Sequence, residues 1–143
     1  MQYSIGEVAN MTGITISALR YYDREGMFPN IERTTGQIRV FSDNEIEALK
    51  IIECLKTSGL SIKEIKQFLA WCQEGDRSIE QRRDLFYERM EAVKLQMAEL
   101  QRTMDVLKYK CWYYDTALAA GTEDAPKRIR PEDRPADIKN IHI

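Results

Sequence analysis

The sequence predicts a mostly helical protein, with a winged helix-turn-helix domain followed by one long coiled-coil helix. Three observations carry this. The pattern S-x-x-E/Q occurs four times, at Ser4–Glu7, Ser42–Glu45, Ser61–Glu64 and Ser78–Gln81, each time ahead of apolar residues at helical spacing. In such a capping box the serine oxygen takes an amide proton of the first turn and the Glu or Gln side chain returns the bond. Two short periodic segments flank the turn dipeptide Thr12-Gly13. From Phe86 to Leu118 apolar residues alternate at spacings of 4 and 3 without a break. The boundaries that follow are 1–75 for the domain, 76–120 for the long helix and 121–143 for a tail.

The first helix is expected from about Ile5 to Asn10, and a second from Ile16 to Arg24 with Thr15 as its N-cap and Gly26 as its stop. Two short helices joined by a Gly-containing turn form a helix-turn-helix. Pro29 bars a simple continuation of the second helix. Ile31–Arg33 and Gln37–Phe41 then flank Thr34-Thr35-Gly36, which predicts a hairpin, the wing. A third helix spans roughly Asp43 to Ser58 and ends at Gly59, and a fourth spans roughly Ile62 to Gln73 and ends at Gly75.

The long helix carries Phe86, Met90, Val93, Met97, Leu100, Met104, Leu107, Cys111, Tyr114 and Leu118 on one stripe. Their mean period of about 3.5 residues is that of a coiled-coil seam. Ile79 extends the register upstream, with Arg83 as a polar exception. Neither Gly nor Pro interrupts residues 79–118, so a helix folded back on itself is disfavoured. A stripe about 60 Å long is too long to bury against a domain of this size, so it needs a partner, most simply a second copy. Three prolines, Pro126, Pro131 and Pro135, lie among mixed charges in the tail, which is expected to be mobile or draped over another surface.

Composition narrows the function. The 143 residues are 43% apolar and 31% charged, as in a globular chain. No run approaches a membrane span, and the N-terminus lacks the charged and apolar regions of a secretory signal, which predicts the cytoplasm. Cys54, Cys72 and Cys111 are odd in number and widely spaced, against a disulfide framework. Methionines 90, 97 and 104 stand at seam spacing and read as packing, not as a metal site. No Cys-x-x-Cys or Cys/His pairing, nucleophile motif or glycine-rich phosphate loop occurs, and the single histidine is His142. An enzyme, a resident metal and a cofactor are therefore not expected. Nor do about 25 residues after the seam suffice to enclose a ligand-binding domain. The net charge is −2, so any case for nucleic acid rests on where the cations sit.

They sit in "ITISALRYYDREG", residues 14–26. Ser17, Arg20 and Tyr21 lie at i, i+3 and i+4 and share a face of the second helix. Arg20 can bridge to phosphate or bidentately to guanine, Tyr21 offers a hydroxyl and a ring, and Thr15 with the helix N-terminus can receive a phosphate. The other reading is a solvated face on which Asp23 or Glu25 pairs the arginines.

"YSIGEVANMTGITISALRYYDREGMFP", then "TTGQIRVFS" and "CLKTSGLSIKEIK", resemble the MerR family of bacterial transcription regulators over residues 3–70. The wing departs from the family's usual Gly-Tyr-Arg-x-Tyr. Here it reads Gly36-Gln37-Ile38-Arg39-Val40-Phe41, with isoleucine in place of the first tyrosine if Gln37 is an insertion, or glutamine if it is not.

The resemblance implies an antiparallel dimerisation helix and a homodimer gripping palindromic double-stranded promoter DNA. Such dimers distort an overlong promoter spacer for RNA polymerase. The implied DNA contacts are Thr15, Ser17, Arg20, Tyr21, Tyr22, Arg39 and Lys56. "IIECLKTSGLS" and the Glu74-Gly75-Asp76-Arg77 connector further resemble thiol-based members that answer reactive aldehydes or nitrogen oxides. This makes Cys54 the effector or redox candidate. Lys50, one turn earlier, favours its thiolate, whereas the C-terminal half of a helix disfavours an anion, so a buried structural cysteine stays open. Cys111 on the seam reads as packing. The alternatives are a coiled-coil adaptor that binds protein without DNA, and a regulator of the same fold with a metal or other effector.

Overall fold

Three of the serine boxes close in the computed structural model, which describes residues 1–142. Ser4 Oγ accepts the Glu7 amide at 3.2 Å and opens helix α1 (Ile5–Thr12). Ser42 opens α3 (Asp43–Thr57), its amide donating to Glu45 Oε2 at 2.7 Å. Ser61 opens α4 (Ile62–Glu74), with reciprocal bonds to Glu64 of 3.0 and 3.1 Å. The backbone amide of Ser61, and then its hydroxyl, hold the Glu64 carboxyl below the usual range. Thr15 caps α2 (Ile16–Arg24) through the Ala18 amide at 3.1 Å.

The fourth box does not form. Gly75–Ser78 is already a 3-10 turn that runs straight into α5 (Ile79–Ala120), so no amide there awaits a cap. Ser78 is instead fully buried, donates to the Trp71 carbonyl, and accepts from Arg82 Nε at 3.0 Å. It locks the α4–α5 joint.

The wing is the hairpin of β2 (Glu32–Arg33) and β3 (Arg39–Ser42), with Glu32 opposite Val40 and Arg33 opposite Arg39. Its turn closes through the Gln37 amide on the Thr34 carbonyl at 2.8 Å. The residue in the left-handed region is Gln37 (φ 61°), not Gly36. A short strand that the sequence pattern does not announce, β1 (Gln2–Tyr3), pairs antiparallel with β3 and gives the order β1-β3-β2.

The N-terminal unit runs from Met1 to Arg89 and so takes in the first turns of α5. Its core joins Val8 of α1, Leu19 and Tyr22 of α2, Phe28, Phe41 of β3, Leu49 and Ile52 of α3, and Ile65 of α4, all under 5% exposed. Phe28 and Phe41 meet edge to face at 5.7 Å. The turn between α1 and α2 needs Gly13 at φ 75°. Gly59, at φ 90°, follows α3 where Arg89 comes so close that a Cβ would overlap its guanidinium. Arg89 Nε donates to the Ser58 carbonyl at 2.7 Å and so satisfies the end of α3.

The second unit begins at Met90. Here α5 ends at Ala120, and the described segment beyond is folded against it, the draped one of the two outcomes the sequence leaves open. It forms α6 (Asp124–Arg128) and a 3-10 turn at Pro131–Asp133. Ile138 is 1% exposed, Tyr113 donates to Glu123 at 3.0 Å, and the Arg134 guanidinium lies 4.9 Å from the Tyr109 ring centroid. Cation–π stacking and burial of Ile138 supply the adhesion that a mixed-charge, proline-bearing sequence does not advertise.

Candidate nucleic-acid interface

Helix α2 sorts its side chains as 3.6-residue periodicity demands. Leu19 and Tyr22 point into the core, while Thr15, Ser17, Arg20 and Tyr21 are exposed on the other side. Arg20 has no ion-pair partner among the described residues, so its fork of donors is open. The first amides of α2 likewise lack intrahelical acceptors, a setting suited to an anion.

Tyr22, which the resemblance implies as a contact, lies on the inward side of α2. It is 1% exposed, because three residues after Leu19 it must share that residue's inward face. Its hydroxyl is committed within the protein, donating to Glu53 Oε1 at 2.8 Å and accepting from Lys56 Nζ at 3.2 Å. Burial, and then the bond to Glu53, push this phenol above its ordinary range, with Lys56 opposing. The same contact raises the Lys56 ammonium. Lys56 is therefore an exposed cation hydrogen-bonded to the Tyr22 hydroxyl, 5.8 Å from the ring centroid.

Arg39 is not free either. Its Nε donates to Asp23 Oδ2 at 2.5 Å, and Arg33 Nη2 reaches the same oxygen at 2.5 Å. The Asp23 side chain is only 7% exposed. The pairing that the sequence offers as an alternative to DNA contact thus occurs, but on the wing arginines and not on Arg20. Asp23 and Arg33 were missed as site residues. Their one signal is that Arg33 and Arg39 lie three residues either side of Gly36 in the hairpin turn, which makes them cross-strand neighbours.

Cys54 is exposed, so it is not a buried core residue. Lys50 does not serve it, since its ammonium sits 2.7 Å from Glu47 Oε1. Cys72 and Cys111 are exposed as well. Along α5, Met97, Leu100, Leu107 and Leu118 are 65%, 69%, 54% and 84% exposed, and Met90, Met104 and Tyr114 are also uncovered. Val93 is half-buried, and Phe86 packs its ring against Phe68 at 5.3 Å. In the second unit the tail covers the side bearing Tyr109 and Trp112 and leaves the stripe bare. Among the described residues no helix is long and apolar enough to cross a membrane, and no group of three or more His, Cys, Asp or Glu could hold a metal.

Comparison with known proteins decides what this arrangement is. The family model "MerR HTH family regulatory protein" matches residues 3–71, and "MerR, DNA binding" matches residues 46–109. An uncharacterised HTH-type transcriptional regulator of Haemophilus influenzae is 40% identical over 87% of this chain and 93% of its own length.

The chain belongs to the MerR family.

Two solved structures agree. One is HiNmlR, a MerR family regulator lacking the sensor domain, bound to promoter DNA. It is 38% identical with a TM-score of 0.68, over 91% of this chain and 98% of that one. The other, a MerR family regulator from Bacillus thuringiensis, is 36% identical with a TM-score of 0.61, over 78% of this chain and 97% of that one. As a MerR-family member the protein is a DNA-binding transcription regulator and not an enzyme.

Proposed function

We propose that two copies pair through the α5 stripes, antiparallel, and present two heads to a palindromic promoter duplex, which they distort to control RNA polymerase. The observation that carries this reading is the uncovered stripe. A helix of 42 residues bears apolar side chains at seam spacing, and all of them but Val93 stand exposed in the single chain. Exposed contiguous apolar surface of that length marks an interface. A second copy supplies a matching stripe by symmetry. The HiNmlR complex with promoter DNA supports the ligand. An adaptor role would leave the open Arg20 and Tyr21 on α2 without a use.

In each head Arg20 and Tyr21 read the groove, Thr15 and Ser17 receive phosphate at the start of α2, and Lys56 adds a cation. Distorting the duplex costs a few kcal/mol, on the order of what a handful of extra contacts offsets. A small effector-driven shift between heads then changes transcription. The exposed thiol of Cys54 is the group through which an electrophile would act. The test is a gel shift with a palindrome selected from a random pool by the wild-type protein. Arg20→Ala should lose binding by about tenfold or more, one bidentate contact being worth about 1–3 kcal/mol in each of two heads. Its sedimentation should stay that of a dimer. Undiminished binding in this variant refutes the assigned reading head.

A further inference from the structure

Arg33 and Arg39 face each other across the β2–β3 ladder, where like charges repel. Both donate to a single oxygen of Asp23, at 2.5 Å each. That carboxylate belongs to the third residue after Arg20 on α2 and is nearly buried. One anion thus does two things. It relieves the cross-strand repulsion, and it ties the wing to the helix that carries the reading residues. Two cations against one anion leave a net charge of +1 at this notch.

We propose that Asp23 is a specificity-determining positioning residue, which sets the wing against α2 and holds two arginines back from indiscriminate phosphate binding. The proposal rests on the DNA-binding reading of this head. Its consequence differs from that of a simple structural residue. Loss of an ordinary packing contact weakens every complex alike. Loss of the Asp23 charge instead frees guanidinium edges for phosphates and slackens the wing, so binding to arbitrary DNA strengthens while discrimination falls.

Asp23→Asn keeps the shape and removes the charge. Binding of the full-length protein should be measured against the selected palindrome and a scrambled duplex of equal length, across a salt series. The slope of log K against log salt should steepen by about 0.9 for each phosphate newly neutralised. The ratio of affinities for the two duplexes should fall at least fivefold. Arg33→Gln, which keeps the Asp23–Arg39 pair and removes an arginine that the clamp holds off phosphate, should leave both the slope and the ratio near those of wild type. It also stands in if Asp23→Asn does not fold by circular dichroism. An unchanged slope and ratio in Asp23→Asn, or an equal loss on both duplexes at constant slope, overturns the proposal. So does a collapsed ratio in Arg33→Gln. If wild-type protein binds no duplex at all, the DNA reading itself fails, and that outcome is distinct from these.

Discussion

Leu100 stands near the middle of the uncovered stripe, which runs from Phe86 to Leu118, and 69% of it faces solvent in the single chain. Full burial of a leucine side chain is worth about 1.5–3 kcal/mol. Covering the exposed two-thirds in a dimer therefore contributes about 1–2 kcal/mol per copy, or about 2–4 kcal/mol for the pair. Leu100→Glu forfeits that amount and places a carboxylate in an apolar seam. In an antiparallel pair the central position also lies close to its own counterpart, so two like charges approach one another. The expected loss of at least about 3 kcal/mol corresponds to a dimer dissociation constant raised by roughly 100-fold or more. Sedimentation equilibrium at micromolar concentration reads this directly, with circular dichroism as the check that α5 remains helical. The gel shift on the selected palindrome should fail in parallel. A variant that self-associates as tightly as wild type would show that this stripe is not the dimer seam, and the two-headed grip would lose its basis.

Three further outcomes are expected. Cys54→Ser should blunt induction of the regulated transcript by formaldehyde or methylglyoxal, and an induction curve identical to wild type removes Cys54 from the sensing role. Gly59→Ala should lower stability by at least about 1–2 kcal/mol in thermal unfolding, because a φ of 90° disfavours a side chain and the added Cβ meets Arg89; an unchanged midpoint would contradict the tight Gly59–Arg89 contact. Tyr22→Phe should cost about 1 kcal/mol by loss of the Glu53 and Lys56 bonds while binding DNA at permissive temperature, whereas a Tyr22 that touched DNA would lose affinity with stability intact.

Local signals made the helices legible. Ser4, Thr15, Ser42 and Ser61 each announce a start that depends only on the next three residues, and these starts stand where the pattern puts them. The apolar stripe on α5 is equally local. Ser78 shows the limit of the signal, since a serine caps only where an amide is orphaned, and the preceding 3-10 turn leaves none. What the sequence conceals is long-range. Strand β1 has two residues and exists because β3, some 40 residues away, offers it an edge. The Asp23 clamp joins residues 10 and 16 positions apart and depends on a hairpin whose turn places glutamine where glycine is usual. Tyr22 was ambiguous for another reason. A helix face three residues from Leu19 is inward, yet a tyrosine is amphipathic, and only the position of Glu53 and Lys56 decides where its hydroxyl goes.

The clamp also bears on the proposed pairing of two heads. Residues 1–70 carry eight Lys/Arg against nine Asp/Glu, so a head has no surplus charge to hold DNA by counterion release alone. With Arg33 and Arg39 sharing one carboxylate, the arginines of α2 without an ion-pair partner among the described residues are Arg20 and Arg24. One such contact is worth about 1–3 kcal/mol, far from the roughly 11–15 kcal/mol of a specific complex. Two heads joined by the proposed seam would change the sum, because the second would bind at the high effective concentration that the first imposes. A head this sparing in free cations gains little on random sequence and most where two half-sites fall at the right spacing. In the proposed dimer the stripe on α5 and the anion on α2 serve one end. The first makes weak contacts additive, and the second keeps them weak until they are correctly placed.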